Sequence, residues 1–138
     1  MSTGIARARE ELFAAHLLAT TGFAAQSVAL SFRAALAAAE AALMLLGRPA
    51  GPYPPAVVAA FLVHVVRERG LDPDTGLRLR SLLNRAELAH ADGDVPQPEA
   101  PAAITDATDV VDVVAAWVEK SQQVAGERAE SRRRENSL

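Results

Sequence analysis

Residues 23–46 read FAAQSVALSFRAALAAAEAALMLL, and this stretch decides the fold class. Val28, Phe32, Leu36, Ala39, Leu43 and Leu46 recur at spacings of three and four, the period of one helical face. Gly47 suits the left-handed residue just past a helix end, and Pro49 cannot continue the helix. The other side of this helix carries alanines, which let a neighbour approach closely. An apolar or alanine surface wider than one stripe exceeds what a single bundle core needs, and it predicts a two-fold partner that covers the excess. The most apolar run, Ala34 to Leu46, is broken by Glu40 and is shorter than the roughly 20 residues of a membrane span, so no membrane partner is expected.

Working outward, the same period appears on both sides. An opening helix is expected from Ser2 or Thr3, both plausible N-caps, to Thr20, with Leu12, Phe13, Leu17 and Leu18 as its stripe and Thr20-Thr21-Gly22 as its stop. After the loop with Gly51, Pro52 and Pro54, Pro55 suits the first turn of a third helix carrying Val57, Val58, Phe61, Leu62, Val65 and Val66 and ending at Gly70. Asp72-Pro73 opens a fourth by the same logic, with Leu77, Leu79, Leu82, Leu83 and Ala86 continuing to about Ala91 before Gly93. Gly76 costs about 1 kcal/mol inside a helix and argues for a later start. The prolines between Asp92 and Pro101 read as a long loop. A fifth helix is expected from near Thr105, with Val110, Val114, Trp117 and Val118 on one face. The fold expectation is all-α: an up-and-down bundle of four to five helices over residues 1–125. Residues 126–138, charged and poor in apolar side chains, are expected to be a disordered tail.

Composition narrows the chemistry. The 138-residue chain has no cysteine, which excludes disulfides and thiolate metal sites and suits a reducing compartment; no apolar segment follows a basic start, and the expected localisation is cytoplasmic. The formal net charge of -3 offers no overall basic field for nucleic acid, so any RNA contact needs a local patch. The candidate patch is Arg67, Arg69, Arg78, Arg80 and Arg85; the run Arg132-Arg133-Arg134 reads as a solvated tail. His16, His64 and His90 are the only histidines and are scattered, so no metal site is expected, and no cofactor motif is present. Asp106, Asp109 and Asp112, spaced by three, read as a solvated helix N-terminus.

One pair carries a chemical signal. Asn84-Arg85-Ala86-Glu87-Leu88-Ala89-His90 places an arginine and a histidine in an Arg-x4-His spacing near the end of the fourth helix. The bland readings are a surface ion pair for Arg85 with Glu87 or another acid, and a helix C-terminal imidazole favoured by the dipole for His90. On an ideal helix the two residues point about 140° apart, so they face one phosphate only if the helix end unwinds or a second copy contributes.

The order of these segments resembles the HEPN family over roughly Ala6 to Val118. Ala14-Ala15-His16-Leu17-Leu18 is similar to its first helix, and Ala39-Glu40-Ala41-Ala42-Leu43 to its second. Val57-Val58-Ala59-Ala60-Phe61 with Gly70-Leu71 is similar to its third helix and exit, and Arg85 to His90 falls at its Arg-x(4–6)-His position. The resemblance implies a helical bundle, usually dimeric. In many members it implies a metal-independent ribonuclease paired, as a toxin, with a small nucleotidyltransferase antitoxin. Arg85 and His90 would then be the catalytic residues, with Asn84 and Glu40 in support. Ala86, Ala91 and Asp92 depart from the polar and tyrosine positions of active members. The chemistry is sensible, since RNA supplies the 2′-OH nucleophile, a histidine moves its proton and an arginine stabilises the phosphoryl oxygens. The other readings are a non-catalytic module that binds a nucleotidyltransferase or a nucleotide, and a plain helical interaction protein.

Overall fold

The alanine-rich stretch forms helix α2 (Ala24–Leu45), and it touches every other helix in the chain. Its buried positions include Val28, Phe32, Ala39 and Leu43 of the expected stripe, whose Leu36 and Leu46 are partly buried, and also Ser27, Ala34, Ala35 and Ala38, so they cover about half the circumference. Small side chains make this possible. Gly4 of α1 (Thr3–Thr20) lies so close to α2 that an added Cβ would come 2.9 Å from the Ala41 Cβ. The Ser27 hydroxyl donates across the same seam to the Ala15 carbonyl at 2.8 Å. Much of the surplus apolar surface is therefore covered within the chain itself, while Ala37, Ala41 and Leu45 stay partly exposed and Met44 is 80% exposed. α2 is long and apolar enough to cross a membrane, but half of that window is buried in the bundle, as expected of a core helix.

This computed structural model describes residues 3–137, so the expected N-cap Ser2 lies outside the described residues. The remaining helices are α3 (Pro54–Phe61), which runs on through a π-helical stretch at Leu62–Arg67, α4 (Pro73–Asp92) and α5 (Glu99–Asn136). No strand occurs among the described residues; the chain is an all-α bundle. α1 and α4 do not touch each other but flank the α2–α5 pair from opposite sides. The core runs along that pair: Leu43, Phe61, Val65, Leu79, Leu82, Val110, Val111 and Val114 are fully enclosed.

Local signals explain most boundaries. Pro54 and Pro55 occupy the first turn of α3, where their missing N–H groups cost nothing. Asp72 caps α4 by accepting from the Asp74 backbone N–H at 3.0 Å, and Gly93, at φ +68, ends it. Two boundaries differ from the sequence reading, and α4 keeps the Asp72-Pro73 start that Gly76 had put in question. α4 starts at Pro73 despite Gly76, because a Cβ there would meet Leu62 Cδ2 at 2.6 Å; glycine lets the π-helical stretch lie against α4. α5 starts at Glu99 rather than near Thr105, because Pro101 sits in the first turn, where proline is harmless, while Ala100, Ala103 and Ile104 bury against the bundle. The expected disordered tail, residues 126–138, is helical as far as Asn136; alanine, glutamate and arginine propagate a helix already nucleated by the bundle.

Candidate functional site

Arg85 projects from α4 toward α5. Its Nη2 donates to Asp106 Oδ2 at 2.6 Å, and both side chains are only about a quarter exposed, at 27% and 26%. Its Nη1 is buried with no hydrogen-bond partner. Two turns earlier on α4, Arg78 donates to Asp109 Oδ2 at 2.9 Å and lies 4.0 Å from Asp106. From the opposite flank, Arg9 of α1 donates to Asp112 Oδ1 at 2.9 Å. The three aspartates, read from sequence as a solvated helix start, lie well inside α5 and tie it by charge to both flanking helices. Three-residue spacing fans them around α5, so Asp106 and Asp109 reach α4 while Asp112 reaches α1. The two partly buried arginines of the expected basic patch are used in this way, leaving Arg67, Arg69 and Arg80 exposed.

His90 lies elsewhere. It is exposed near the end of α4 and stands between two recesses on the α2 side. One, of about 460 Å³, is lined by Phe32, Pro54, Pro55, Leu83, Ala86 and Glu87; the other, of about 240 Å³, by Ala25, Gln26, Ala29, Ala86, Ala89 and Gly93. Arg85 instead borders a recess with Asp74, Leu77, Arg78, Ser81 and Asp106. α4 stays helical through Asp92, so the end does not unwind to swing His90 round, and the angle of about 140° between the two residues is retained. Within one chain the structure does not bring Arg85 and His90 together.

The supporting candidates are also apart. Asn84 is exposed on α4. Glu40 is exposed and borders a groove of about 640 Å³ with Gly4, Ile5, Arg7, Ala41 and Met44, toward the other end of α2. It lies about 15–20 Å along α2 from the Gln26–Ala29 turn that faces His90, and it does not orient Arg85. His64 pairs with Glu68 at 3.4 Å on the π-helical stretch, and His16 is exposed on α1. Among the described residues no group of three or more histidines and carboxylates could hold a metal ion.

The partner of Arg85 escaped the sequence reading. Asp106 is 21 residues away, and only the antiparallel docking of α4 on α5 sets the two face to face. The signal that could have found it is the register of Arg78 and Arg85 against Asp109 and Asp106, two basic positions on one helix opposite two acidic positions on the next. Against known proteins, no family model matches the chain and no curated protein matches it in sequence.

Proposed function

We propose that this chain is a HEPN-like helical module that works as a homodimer by binding a protein partner rather than by cutting RNA. The observation that carries the reading is the placement of Arg85. A guanidinium held by a carboxylate at 2.6 Å is already neutralised, and its histidine companion opens onto a different face. A phosphate approaching Arg85 would have to displace Asp106 from a partly buried pair, which removes the advantage of a preorganised charge. The HEPN element rests on the order and spacing of the helices. The partner that resemblance implies is a small nucleotidyltransferase.

A second reading keeps one foothold. His90 is open to solvent with Glu87 one turn before it, and a second copy of the chain could supply an arginine that its own α4 does not. In that case the chain is a metal-independent ribonuclease. The 2′-OH would attack its own phosphate, leaving a 2′,3′-cyclic phosphate and a 5′-hydroxyl.

Incubation of the purified chain with matched RNA and DNA oligonucleotides, with and without EDTA, separates the two. The interaction-module reading expects neither to be cut. Cleavage of RNA alone that survives EDTA and disappears in His90→Ala would overturn it in favour of the ribonuclease.

A further inference from the structure

From Gln123 to Ser137 every residue of the α5 end is exposed, and the last buried position on the helix is Val118. The helical part of this extension, to Asn136, is about 21 Å long. It is not uniform around its circumference. The spacing Val110, Val114, Trp117, Ser121, Val124 that faces the bundle continues into Arg128 and Arg132 before Glu135 near the helix end, so the same face passes from apolar to basic over Val124 to Arg132. Among the described residues neither arginine makes an ion pair; the one pair in this segment is Arg134 with Glu130 at 2.9 Å, on another face.

The extension leaves the bundle beside the groove bordered by Glu40. Val118 and Gln122 form its α5 wall, and Ala37, Ala41, Met44 and Leu45 of α2 form its floor. Met44 is 80% exposed there, and among the described residues Glu40 makes no ion pair. Arg7, on the α1 side of the groove, is already held by Glu11 at 3.2 Å, so an apolar floor with an unpaired carboxylate at its rim stands next to a helix whose bundle-facing side offers Val124 and two unpaired arginines.

We infer that the occupant of this groove is the α5 extension of a second copy of the chain, with Val124 over Met44 and Leu45 and with Arg128 or Arg132 meeting Glu40. The inference rests on the homodimer of the reading above and names its interface. A two-fold axis pointing from α5 toward the bundle sets the two α5 helices antiparallel. Each extension then runs beside the other α5 with its basic-apolar face turned to the other groove. The contact is isologous, so each Glu40 gains an arginine and each extension gains a surface to cover. Charge complementarity selects the second copy as occupant, because the unpaired Arg128 and Arg132 and the unpaired Glu40 belong to the same sequence.

Sedimentation velocity of the full chain over about 1–100 μM tests this. The wild type is expected to dimerise. Glu40→Arg, and separately the double change Arg128→Glu with Arg132→Glu, are each expected to weaken the dimer about tenfold or more, and their combination to restore it. All three positions are exposed, so the helical circular dichroism should be unchanged and serves as the folding control. A dimer insensitive to both reversals, or weakened by both but not restored by the combination, overturns the extension–groove contact while leaving the homodimer standing. A wild type that stays monomeric at about 100 μM overturns both this contact and the homodimer; RNA cleavage is read out separately.

Discussion

Replacing Asp106 by alanine measures what Arg85 is for. The change removes the acceptor at 2.6 Å from Arg85 and a contact at 4.0 Å from Arg78, which keeps Asp109 at 2.9 Å. Fully exposed pairs contribute about 0.2–1 kcal/mol, and breaking a fully buried pair costs about 3–5 kcal/mol. With both side chains about a quarter exposed, this pair falls between those limits. Arg85 also has a second buried nitrogen with no partner, so losing Asp106 leaves most of the guanidinium without acceptors. A loss of about 1.5–2.5 kcal/mol follows. For a domain of this size that is a fall in Tm of about 5–8 °C. Asp106→Asn, which keeps an acceptor oxygen but no charge, should lose about half as much. Urea unfolding at low and high salt is the assay, with salt narrowing the difference between wild type and Asp106→Ala only modestly because the pair is partly enclosed. A loss under about 0.5 kcal/mol would refute the reasoning, because the ion pair would then not hold Arg85 and the arginine would be free for other chemistry.

Two further predictions concern the interior. Thr75 is fully buried and its hydroxyl has no partner, so Thr75→Val should raise stability by about 0.5–1.5 kcal/mol in urea unfolding; destabilisation would mean that the hydroxyl is satisfied. Leu79 is fully buried in the core beside Leu82, so Leu79→Ala should cost about 2–5 kcal/mol, and a loss below 1 kcal/mol would show that the α4 seam repacks freely.

Much of the fold is legible in the sequence because helix formation is decided locally. The three-and-four spacing in residues 23–46, the Asp72-Pro73 start and the glycine at 93 each act within a turn or two, and each lands where it was expected. The doubt over Gly76 and the late start expected for α5 both have local grounds overridden by packing. Gly76 reads as a weakness in a helix until the π-helical stretch is seen lying against it. Pro101 reads as loop until Ala100, Ala103 and Ile104 are seen buried. The π-helical stretch has no local signature, since Val63, Val65 and Val66 suit ordinary helix and strand about equally well.

The sequence by itself determined the helical class, the central role of the alanine-rich helix, the absence of thiol chemistry and the Arg-x4-His spacing. It also set the angle of about 140° between Arg85 and His90, because that angle follows from residues per turn alone. Only the tertiary structure decided what each of the two residues faces. Helix azimuth is local, but the identity of the neighbour at a given azimuth depends on which helices dock and in what register. The antiparallel docking of α4 on α5 gave Arg85 to Asp106, and the docking of α4 on α2 left His90 beside Phe32 and the Pro54-Pro55 turn. Helix docking also covered much of the alanine surface of α2 from within, left Met44 open beside Ala37 and Ala41, and left the end of α5 standing clear of the bundle.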